Sequence, residues 1–205
     1  MRSSRLPGKV MLPILGKPIL HYLVERLKKV PSIDEIVLAT TTHDIDNVLV
    51  DFAKNENIRC FRGSEDDVML RVSEAANSVN ADVIVEITGD CPIIDPQIVE
   101  QTILMYKANN VDYVSNAIIR SYPDGMDTQV FSVETLKKSL SMTNNLLDHE
   151  HVTLHIRNNP ELFSRTNLVA PPELAWPELG LTLDEKDDFN LLKLVIEHFN
   201  QKNPF

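Results

Sequence analysis

The sequence predicts an α/β fold with a mostly parallel sheet, and two observations support this. Residues 33–41 (IDEIVLATT) and 81–88 (ADVIVEIT) are short apolar runs rich in β-branched side chains, which is typical of strands buried on both faces. The segments around them have apolar residues at helical spacing. Strands that alternate with helices along a chain favour a parallel sheet covered by helices.

The first third of the chain contains two predicted amphipathic helices, over 19–29 and 44–56, because apolar side chains recur there every three or four positions. A short strand is predicted at 58–61. Ser64 and Asp67 have the spacing of a capping box, so the next helix is expected to begin at Ser64.

The second half of the chain continues the alternation. Asp95 followed by Pro96 predicts an N-cap and a first-turn proline for a helix that runs to about residue 108. We find no linker or internal repeat, so we expect one domain over residues 1–205. The other predicted elements are strands at 112–115, 128–131 and 163–169, helices that begin at Ser132 or Glu134 and span 148–157, and a last helix capped by Asp184.

Composition limits the class of protein. The 205 residues include 20 Lys and Arg against 30 Asp and Glu, and the resulting net charge of −10 argues against a nucleic-acid-binding surface. No apolar run reaches the length of about 18 residues that a membrane span requires. Two cysteines provide no disulfide framework, so we expect a cytoplasmic protein with both thiols in its core.

The first segment that could carry chemistry is a basic loop, Ser3-Ser4-Arg5-Leu6-Pro7-Gly8-Lys9. Arginine offers a bidentate fork, lysine offers a mobile charge, and glycine lets the backbone come close, so the loop could cradle phosphates. It is not a Walker A loop, because Val10 follows where that motif has Ser or Thr. A solvated basic turn is the alternative interpretation.

The wider string S-S-R-L-P-G-K-V-M-L-P-I-L-G-K-P-I-L closely resembles the opening signature of the cytidylyltransferase family grouped with spore-coat polysaccharide biosynthesis proteins. One such motif would be weak evidence, but six in the family's order across nearly the whole chain are specific. The other five are F-R-G-S-E-D-D-V (61–68), I-T-G-D-C-P (87–92), Y-P-D-G-M-D (122–127), E-H-V-T (150–153) and L-T-L-D (181–184).

The resemblance implies both a fold and an activity. The fold would be a Rossmann-like sheet of the nucleotide-diphospho-sugar transferase, or glycosyltransferase-A-like, type. The activity would be transfer of CMP from CTP to a hydroxyl of a sugar or sugar acid, with release of pyrophosphate, for a surface or spore-coat polysaccharide. Mg²⁺ or Mn²⁺ would be the cofactor, and a homodimer is an expectation that comes from the similar synthetases alone.

The resemblance also assigns roles on the nucleotide side. Lys9 and Arg5 would neutralise the charge that develops on the triphosphate, and they are the catalytic candidates. Ser3 and Ser4 would donate hydrogen bonds to the nucleotide. Three further residues are nucleotide-contact candidates, although a capping box with a solvated arginine is the alternative for their segment: Arg62, Ser64 and Arg71.

Two aspartates are the candidate metal ligands. Asp90 follows a predicted strand, and a hard cation such as Mg²⁺ prefers one or two carboxylates together with phosphate oxygens. The alternative for Asp90 is a turn residue bonded to its own backbone. Asp184 would complete the site in the family, although Asp187 three positions later also fits a helix cap with an acidic first turn.

The acceptor side is assigned by the remaining motifs. Asp124 and Asp127 lie in a turn-rich loop where the sugar would bind, and an ordinary hairpin turn is the alternative. Glu150 and His151 would orient that loop or contact the acceptor. A zinc site around His149 and His151 is rejected, because histidines two apart on a helix point to different faces.

The sequence departs from the family at its start and at positions 129 and 149. Members normally have an apolar first strand and Q-A-R-M-G before the serines, so the first strand appears missing and its neighbours would lose ladder partners. Gln129 replaces an acidic residue of D-x-E-V-F, and His149 replaces an arginine. Two alternatives therefore stay open: a truncated, non-catalytic relic that binds nucleotide or a partner, and a nucleotidyltransferase or glycosyltransferase with another nucleotide specificity.

Overall fold

The fold is α/β, as predicted, in a computed structural model that describes Met1 and residues 3–202. The strands are β1 (Pro13–Ile14), β2 (Lys17–Pro18), β3 (Val37–Thr41), β4 (Arg59–Gly63), β5 (Val83–Glu86), β6 (Tyr113–Ser115), β7 (Gln129–Ser132) and β8 (Arg165–Asn167). The helices are α1 (Ile19–Leu27), α2 (Asn47–Glu56), α3 (Val68–Ser78), α4 (Pro96–Ala108), α5 (Val133–Met142), α6 (Leu146–Glu150), α7 (Leu154–Asn158) and α8 (Lys186–Lys202).

The sheet is mixed rather than mostly parallel. β3 pairs with β4 and β6 pairs with β8 in parallel, but β7 runs antiparallel to both of its neighbours, β5 and β6. The reason is the connection from β6 to β7, which is a loop without a helix. Antiparallel strands can be joined by such a loop, whereas parallel neighbours need a longer crossover, which is usually a helix.

Among the described residues the strands form three separate ladders: the short pair β1–β2, the pair β3–β4, and the four strands β5–β7–β6–β8. In the described part of the chain, β3 pairs only with β4, and β5 pairs only with β7. Leu38 of β3 and Val85 of β5 nevertheless pack against the same apolar cluster, so side-chain burial holds the two ladders together.

Two apolar clusters form the core. The larger one is built from α1, α4 and α8 and includes Leu23, Val99 and Ile196, which are at most 4% exposed. The smaller one lies under β5, β6 and β7 and includes Tyr113 and Phe131, which are fully buried. The larger cluster fixes the carboxyl end of β5 against α8, and this is where the candidate site lies.

Helix boundaries follow their caps. The side chains of Asp95 and Ser132 accept backbone N–H bonds at the starts of α4 and α5, as predicted. The helix predicted to begin at Ser64 begins at Val68, and Asp67 is its N-cap. Because β4 extends to Gly63, the intervening residues are needed to turn the chain, and Ser64 Oγ accepts the N–H of Asp67 instead.

Two predicted helices are divided. Residues 44–46 form a 3₁₀ turn ahead of α2. The helix predicted over 148–157 consists of α6 and α7, and the break lies at Val152, whose φ is +42°. A β-branched residue in that conformation cannot continue a right-handed helix. Among the described helices, none combines the length and the hydrophobicity that crossing a bilayer requires.

Asp46 ties the 3₁₀ turn to the end of β3. Its Oδ2 accepts hydrogen bonds from the hydroxyls of Thr40 and Thr41, each at 2.7 Å, and from the N–H of Thr41. Burial opposes ionisation, but the hydrogen bonds from Thr41 and Thr40 lower the pKa of this carboxyl from 3.8 to about 2. The carboxylate is therefore a stabilising element of the fold at neutral pH.

We expect Asp46→Ala to lower the free energy of unfolding by about 2 kcal/mol, because it leaves buried donors unpaired. The difference from the wild type should be complete above the ordinary pKa of 3.8 and should shrink as the pH falls towards 2, where the native carboxyl becomes protonated. Urea unfolding at several pH values measures both. Asp51→Ala, on the exposed face of α2, is the control, and an equal loss in both variants would contradict the assignment.

Candidate active site

The candidate site is a cavity of about 210 Å³ at the carboxyl end of β5. A larger cavity of about 490 Å³ lies at the amino ends of β3 and β4. Ligands of open α/β sheets bind beyond the carboxyl ends of strands, and the motifs of the sequence converge on the smaller cavity. Its lining residues are Glu86, Thr88, Asp90, Cys91, Asp124, Asp127, Gln129, Thr182 and Asp184.

At one end of the cavity, a single ammonium joins two carboxylates. Lys9 Nζ lies 3.0 Å from Asp90 Oδ2 and 2.9 Å from Asp184 Oδ1. Arg5 Nη2 lies 2.7 Å from the same Asp184 oxygen. Burial acts to lower the pKa of Lys9, but its contacts with Asp184 and Asp90 raise it overall. Burial acts to raise the pKa of Asp184, but the positive charges of Lys9 and Arg5 lower it overall. Lys9 and Asp184 are therefore charged at neutral pH.

Local backbone structure places these groups. Gly8 has a φ of +70°, a value that favours glycine, and it turns the basic loop into a short 3₁₀ helix that begins at Lys9. The N–H of Leu183 donates to the carbonyl of Asp90 at 2.8 Å, so the segments that carry the two aspartates lie side by side. Lys9 therefore meets both carboxylates at one point.

Asp184 does not cap the last helix. The backbone N–H groups of Asp184 and Glu185 donate to Oδ2 of Asp188, at 2.9 and 2.7 Å. Asp188 thus satisfies amides at the start of α8, and the Asp184 carboxylate is left to face Lys9 and Arg5. In the described residues no backbone N–H donates to the Asp184 side chain, so the predicted N-cap is not observed; Asp188, within the first turn of α8, accepts the two amides that precede the helix instead.

The other end of the cavity is formed by the loop of residues 122–127. Asp124 donates its N–H to Leu179 and accepts from Leu181, at 2.9 and 2.8 Å, which clamps the loop to the segment before Asp184. Gly125 has a φ of +98°, and a Cβ there would lie 2.8 Å from the carbonyl carbon of Leu181. Only glycine fits this close approach.

Two more acidic side chains, Asp127 and Glu86, line the same end. Burial and the neighbouring charge of Asp124 raise the pKa of Asp127. Burial raises the pKa of Glu86 to about 7, although Gln129 and Arg157 act to lower it. This end of the cavity can therefore hold a proton on a carboxyl near neutral pH.

Gln129 is held in one orientation by its neighbours. Its side-chain oxygen accepts hydrogen bonds from the hydroxyls of Tyr113 and Thr153, both at 2.5 Å, and its NH₂ group donates to Glu86 Oε2. Two hydroxyl donors on the oxygen leave the nitrogen to face Glu86. The network lies at the edge of the smaller apolar cluster, where water cannot compete freely.

Some of the predicted site residues meet at the cavity and others do not. Lys9, Arg5, Asp90 and Asp184 meet at one end of the cavity, and Asp124 and Asp127 line the other end. The remaining predicted residues do not line the cavity. Ser3 accepts the N–H of Leu6, and Ser4, Glu150 and His151 are exposed.

The arginines predicted to contact nucleotide hold backbone instead. The Arg62 guanidinium donates to the carbonyls of Thr41 and His43, at 2.9 and 2.8 Å, and to Asn47. Arg71 donates to the carbonyl of Ser64. In the described residues, both arginines therefore hydrogen-bond to backbone carbonyls of the loops next to β3 and β4. Ser64 Oγ accepts the N–H of Asp67 in the turn before α3.

Sequence reasoning did not single out Glu86, Thr88, Cys91 or Thr182 as site residues. A charged residue in the otherwise apolar run ADVIVEIT was the available signal for Glu86. Gln129 was noticed only as a departure from the family. Of the two thiols expected in the core, Cys91 is buried at the cavity wall and Cys60 is half-buried.

The residues at the Lys9 end could hold a divalent cation. The carboxylate oxygens of Asp90 and Asp184 converge on the Lys9 ammonium, which shows that both can contact one positive charge at the same point. Oxygen-only ligands are those that Mg²⁺ prefers. A second group with ligand spacing, His21, Glu25 and Glu56, does not line the cavity, and Lys28 already donates to both of its carboxylates.

Comparisons with known proteins agree with this geometry. A family model described as cytidylyltransferase matches residues 1–204. The spore coat polysaccharide biosynthesis protein SpsF of Bacillus subtilis is 32% identical over 98% of this chain and 85% of its own length.

Two solved structures are also similar. A cytidylyltransferase from Leptospira borgpetersenii has a TM-score of 0.92 and 31% identity, covering 100% of this chain and 91% of its own. CMP:2-keto-3-deoxy-manno-octonic acid synthetase complexed with CTP has a TM-score of 0.69 and 17% identity, covering 96% and 95%. The second likeness concerns the fold alone.

We expect Gly125→Ala to lower the free energy of unfolding by about 3 kcal/mol. Two effects add up, because the alanine would have a strained positive φ and its Cβ would clash with the backbone of Leu181 and Thr182. Gly16→Ala is the matched control, because Gly16 also has a positive φ but has open space around it. The control should lose about 1 kcal/mol. Thermal and urea unfolding measure both, and equal losses would show that the close approach does not matter.

Proposed function

Because the chain belongs to the cytidylyltransferase family, and is therefore a nucleotidyltransferase, we propose that it transfers CMP from CTP to a sugar hydroxyl and releases pyrophosphate. The observation that carries the proposal is the Lys9 ammonium between the carboxylates of Asp90 and Asp184, at the mouth of a cavity with an acidic far end. Cations at one end and hydrogen-bond acceptors at the other suit a triphosphate beside a polyol.

The basic loop binds the triphosphate in this proposal. Lys9 and Arg5 project towards the same carboxylate oxygen, so their positive charges lie close together before nucleotide binds. Attack on the α-phosphorus moves negative charge onto the departing pyrophosphate, and fixed cations stabilise that charge. Ser3 and Ser4, on the same loop, supply further donors.

Asp90 and Asp184 are the residues that would hold a divalent cation, Mg²⁺ or Mn²⁺. When bound, the cation would neutralise part of the phosphate charge, which two carboxylates and one ammonium cannot do alone. Asp90 and Asp184 would then no longer need Lys9 as their counter-ion. The ammonium would be available to the phosphates, a short movement for a flexible side chain.

The acceptor binds at the opposite end, against Asp124 and Asp127. Its hydroxyl oxygen would form the new bond to the α-phosphorus, the bond to the bridging oxygen of pyrophosphate would break, and the hydroxyl proton would be released to solvent. The clamp between Asp124 and the 179–181 segment fixes the acceptor loop relative to Asp184. Holding both reactants on connected backbone supplies the proximity that this reaction needs.

The relatives support the choice of nucleotide and pathway. The similar synthetase structure holds CTP, and the SpsF relative is named for spore-coat polysaccharide biosynthesis. We propose accordingly that CTP is the donor and that the product serves the synthesis of a surface polysaccharide. The chain would work as one domain over residues 1–205.

Lys9→Ala is expected to lower the rate of pyrophosphate release from CTP, Mg²⁺ and an accepted sugar by about 100-fold or more, because a charge that meets the transition state is lost. A coupled pyrophosphate assay measures this rate. Lys54→Ala, at an exposed position of α2, should leave it unchanged. Wild-type release without any effect of Lys9→Ala would remove Lys9 from the mechanism.

CTP with Mg²⁺ should raise the midpoint of thermal unfolding by about 5–10 °C at 100 times its dissociation constant, because binding at that excess stabilises by about 2.7 kcal/mol. UTP and GTP at the same concentration should give smaller shifts. Differential scanning fluorimetry with the full chain makes the comparison. An equal or larger shift with UTP or GTP would assign the protein another nucleotide, and CTP binding without turnover on any sugar would indicate a non-catalytic relic.

A further inference from the structure

The acceptor end of the cavity contains a third carboxyl group besides those of Asp124 and Asp127, that of Glu86. It belongs to the last residue of β5 and lines the cavity with the two aspartates. The cavity is small, at about 210 Å³, so an acceptor held by these aspartates also lies beside Glu86. An alcohol that attacks phosphorus must lose its proton, and a positioned carboxylate can take it.

The two carboxylate oxygens of Glu86 have different surroundings. Oε2 accepts a hydrogen bond from the NH₂ group of Gln129, which lies opposite Glu86 in the pairing of β5 with β7. Among the described residues, Oε1 accepts no hydrogen bond, and it is not one of the fully buried atoms that lack a partner. One oxygen is therefore anchored, and the other is open to a hydroxyl of a ligand.

Gln129 cannot reverse its amide to face Glu86 with the oxygen. That oxygen already accepts the hydroxyls of Tyr113 and Thr153, so only the NH₂ group is left for Glu86. A donor fixed in this way keeps the carboxylate in one orientation. Such support from neighbouring side chains is what holds a catalytic group in a productive geometry.

The groups around Glu86 favour a carboxyl that can both release and accept a proton. Burial disfavours the ionised form most, and the charges of Asp127 and Asp90 act in the same direction. Gln129 and Arg157 favour the ionised form, and the resulting pKa is about 7. A base of this strength is ionised in a useful fraction of molecules at neutral pH and still binds a proton well.

Asp127 is the other carboxyl at this end with a raised pKa. Burial and the charge of Asp124 raise it, and no hydrogen bond from the described residues contributes. Its oxygens are therefore not anchored, whereas Glu86 has one oxygen held and one open. This difference favours Asp127 as a ligand for acceptor hydroxyls and Glu86 as the group that takes the proton.

We propose that Glu86 is the general base of the transfer and that Gln129 positions it. Oε1 accepts the proton of the attacking hydroxyl, while the electron pair of that O–H bond forms the bond to the α-phosphorus. The bond from the α-phosphorus to the bridging oxygen breaks, its electron pair leaves with pyrophosphate, and Glu86 then passes the proton to water. This role rests on the proposed function, because it requires the acceptor to bind at this end of the cavity.

The test measures pyrophosphate release from CTP, Mg²⁺ and an accepted sugar over the range of about pH 5–9. In the wild type, kcat should rise with pH and level off above about 7, because only ionised Glu86 accepts the proton. The near-isosteric Glu86→Gln should lower kcat by about 100-fold or more and remove this rise. Glu134→Gln, whose native side chain is 84% exposed on α5, is the matched control and should behave as the wild type.

Gln129→Glu separates the titration of Glu86 from that of the nucleotide. The new carboxylate still accepts the hydroxyls of Tyr113 and Thr153, but it cannot donate to Glu86 and it adds a negative charge beside it. Because both changes raise the pKa of Glu86, the rise in kcat should move to higher pH by about 1 unit, whereas the titration of CTP is unchanged.

Asp127→Asn tests the competing base. It should raise the KM for the acceptor more than it lowers kcat, and it should keep the dependence of kcat on pH. Near-UV circular dichroism and the rise in unfolding temperature with CTP establish that each variant is folded and binds nucleotide. If Gln129→Glu fails to fold, the comparison of Glu86→Gln with Glu134→Gln decides the role.

Four results would overturn the general base and leave the proposed transfer standing. They are a kcat of Glu86→Gln above about a tenth of the wild-type value, a rise with pH that persists in that variant, a rise that is lost in Asp127→Asn instead, and an unshifted rise in folded Gln129→Glu. A wild-type chain that releases no pyrophosphate with any sugar would refute the transfer and the base together.

Discussion

The site depends on one interaction, the contact of the Lys9 ammonium with two carboxylates that are distant in sequence. Asp90 is 81 residues and Asp184 is 175 residues from Lys9 along the chain. Without a cation between them, two carboxylates held close together in a half-buried position would repel each other. The Lys9 ammonium removes that repulsion and lets the basic loop, the end of β5 and the start of α8 converge. The same charge that assembles the site is the one that the proposed triphosphate would require, so the groups would be in place before the nucleotide arrives.

The cavity has opposite electrostatic ends, and the backbone fixes the distance between them. Gly125 allows the acceptor loop to approach the 179–182 segment, and the hydrogen bonds of Asp124 hold that approach. The segment leads directly to Asp184, which belongs to the cationic end. In the proposed transfer, the two ends of the cavity would therefore be held by hydrogen-bonded backbone rather than by two independent loops. The large apolar cluster beneath α1, α4 and α8 supports this arrangement, since Leu183, next to Asp184, is fully buried in it.

Much of the fold could be predicted from local signals, and the resemblance supplied the residues of the cationic end. Periodicity located α1 and α4 well, because an apolar face and a cap are encoded in neighbouring residues. The spacing of Asp184 and Asp187 predicted a cap at Asp184, but the Asp184 carboxylate faces Lys9, a contact between residues 175 positions apart that no local signal shows. Glu86 was missed because a side chain at the end of a strand faces a pocket only through pairing with β7, which is a long-range contact. The break at Val152 had no local signal, since a β-branched residue is not expected at positive φ.

Cys91 lies in the wall of the cavity, next to Asp90, and its thiol is 3.3 Å from the hydroxyl of Thr88. Burial raises the pKa of this thiol far above its ordinary value, and the nearby acidic groups act in the same direction. Oxidants and alkylating reagents attack the thiolate form, which is scarce here. A cysteine in this position would normally make an enzyme sensitive to peroxide or to a change in cellular glutathione. Here burial and the acidic surroundings keep the thiol in its protonated, poorly reactive form, so the same groups that shape the cavity also protect the sulfur.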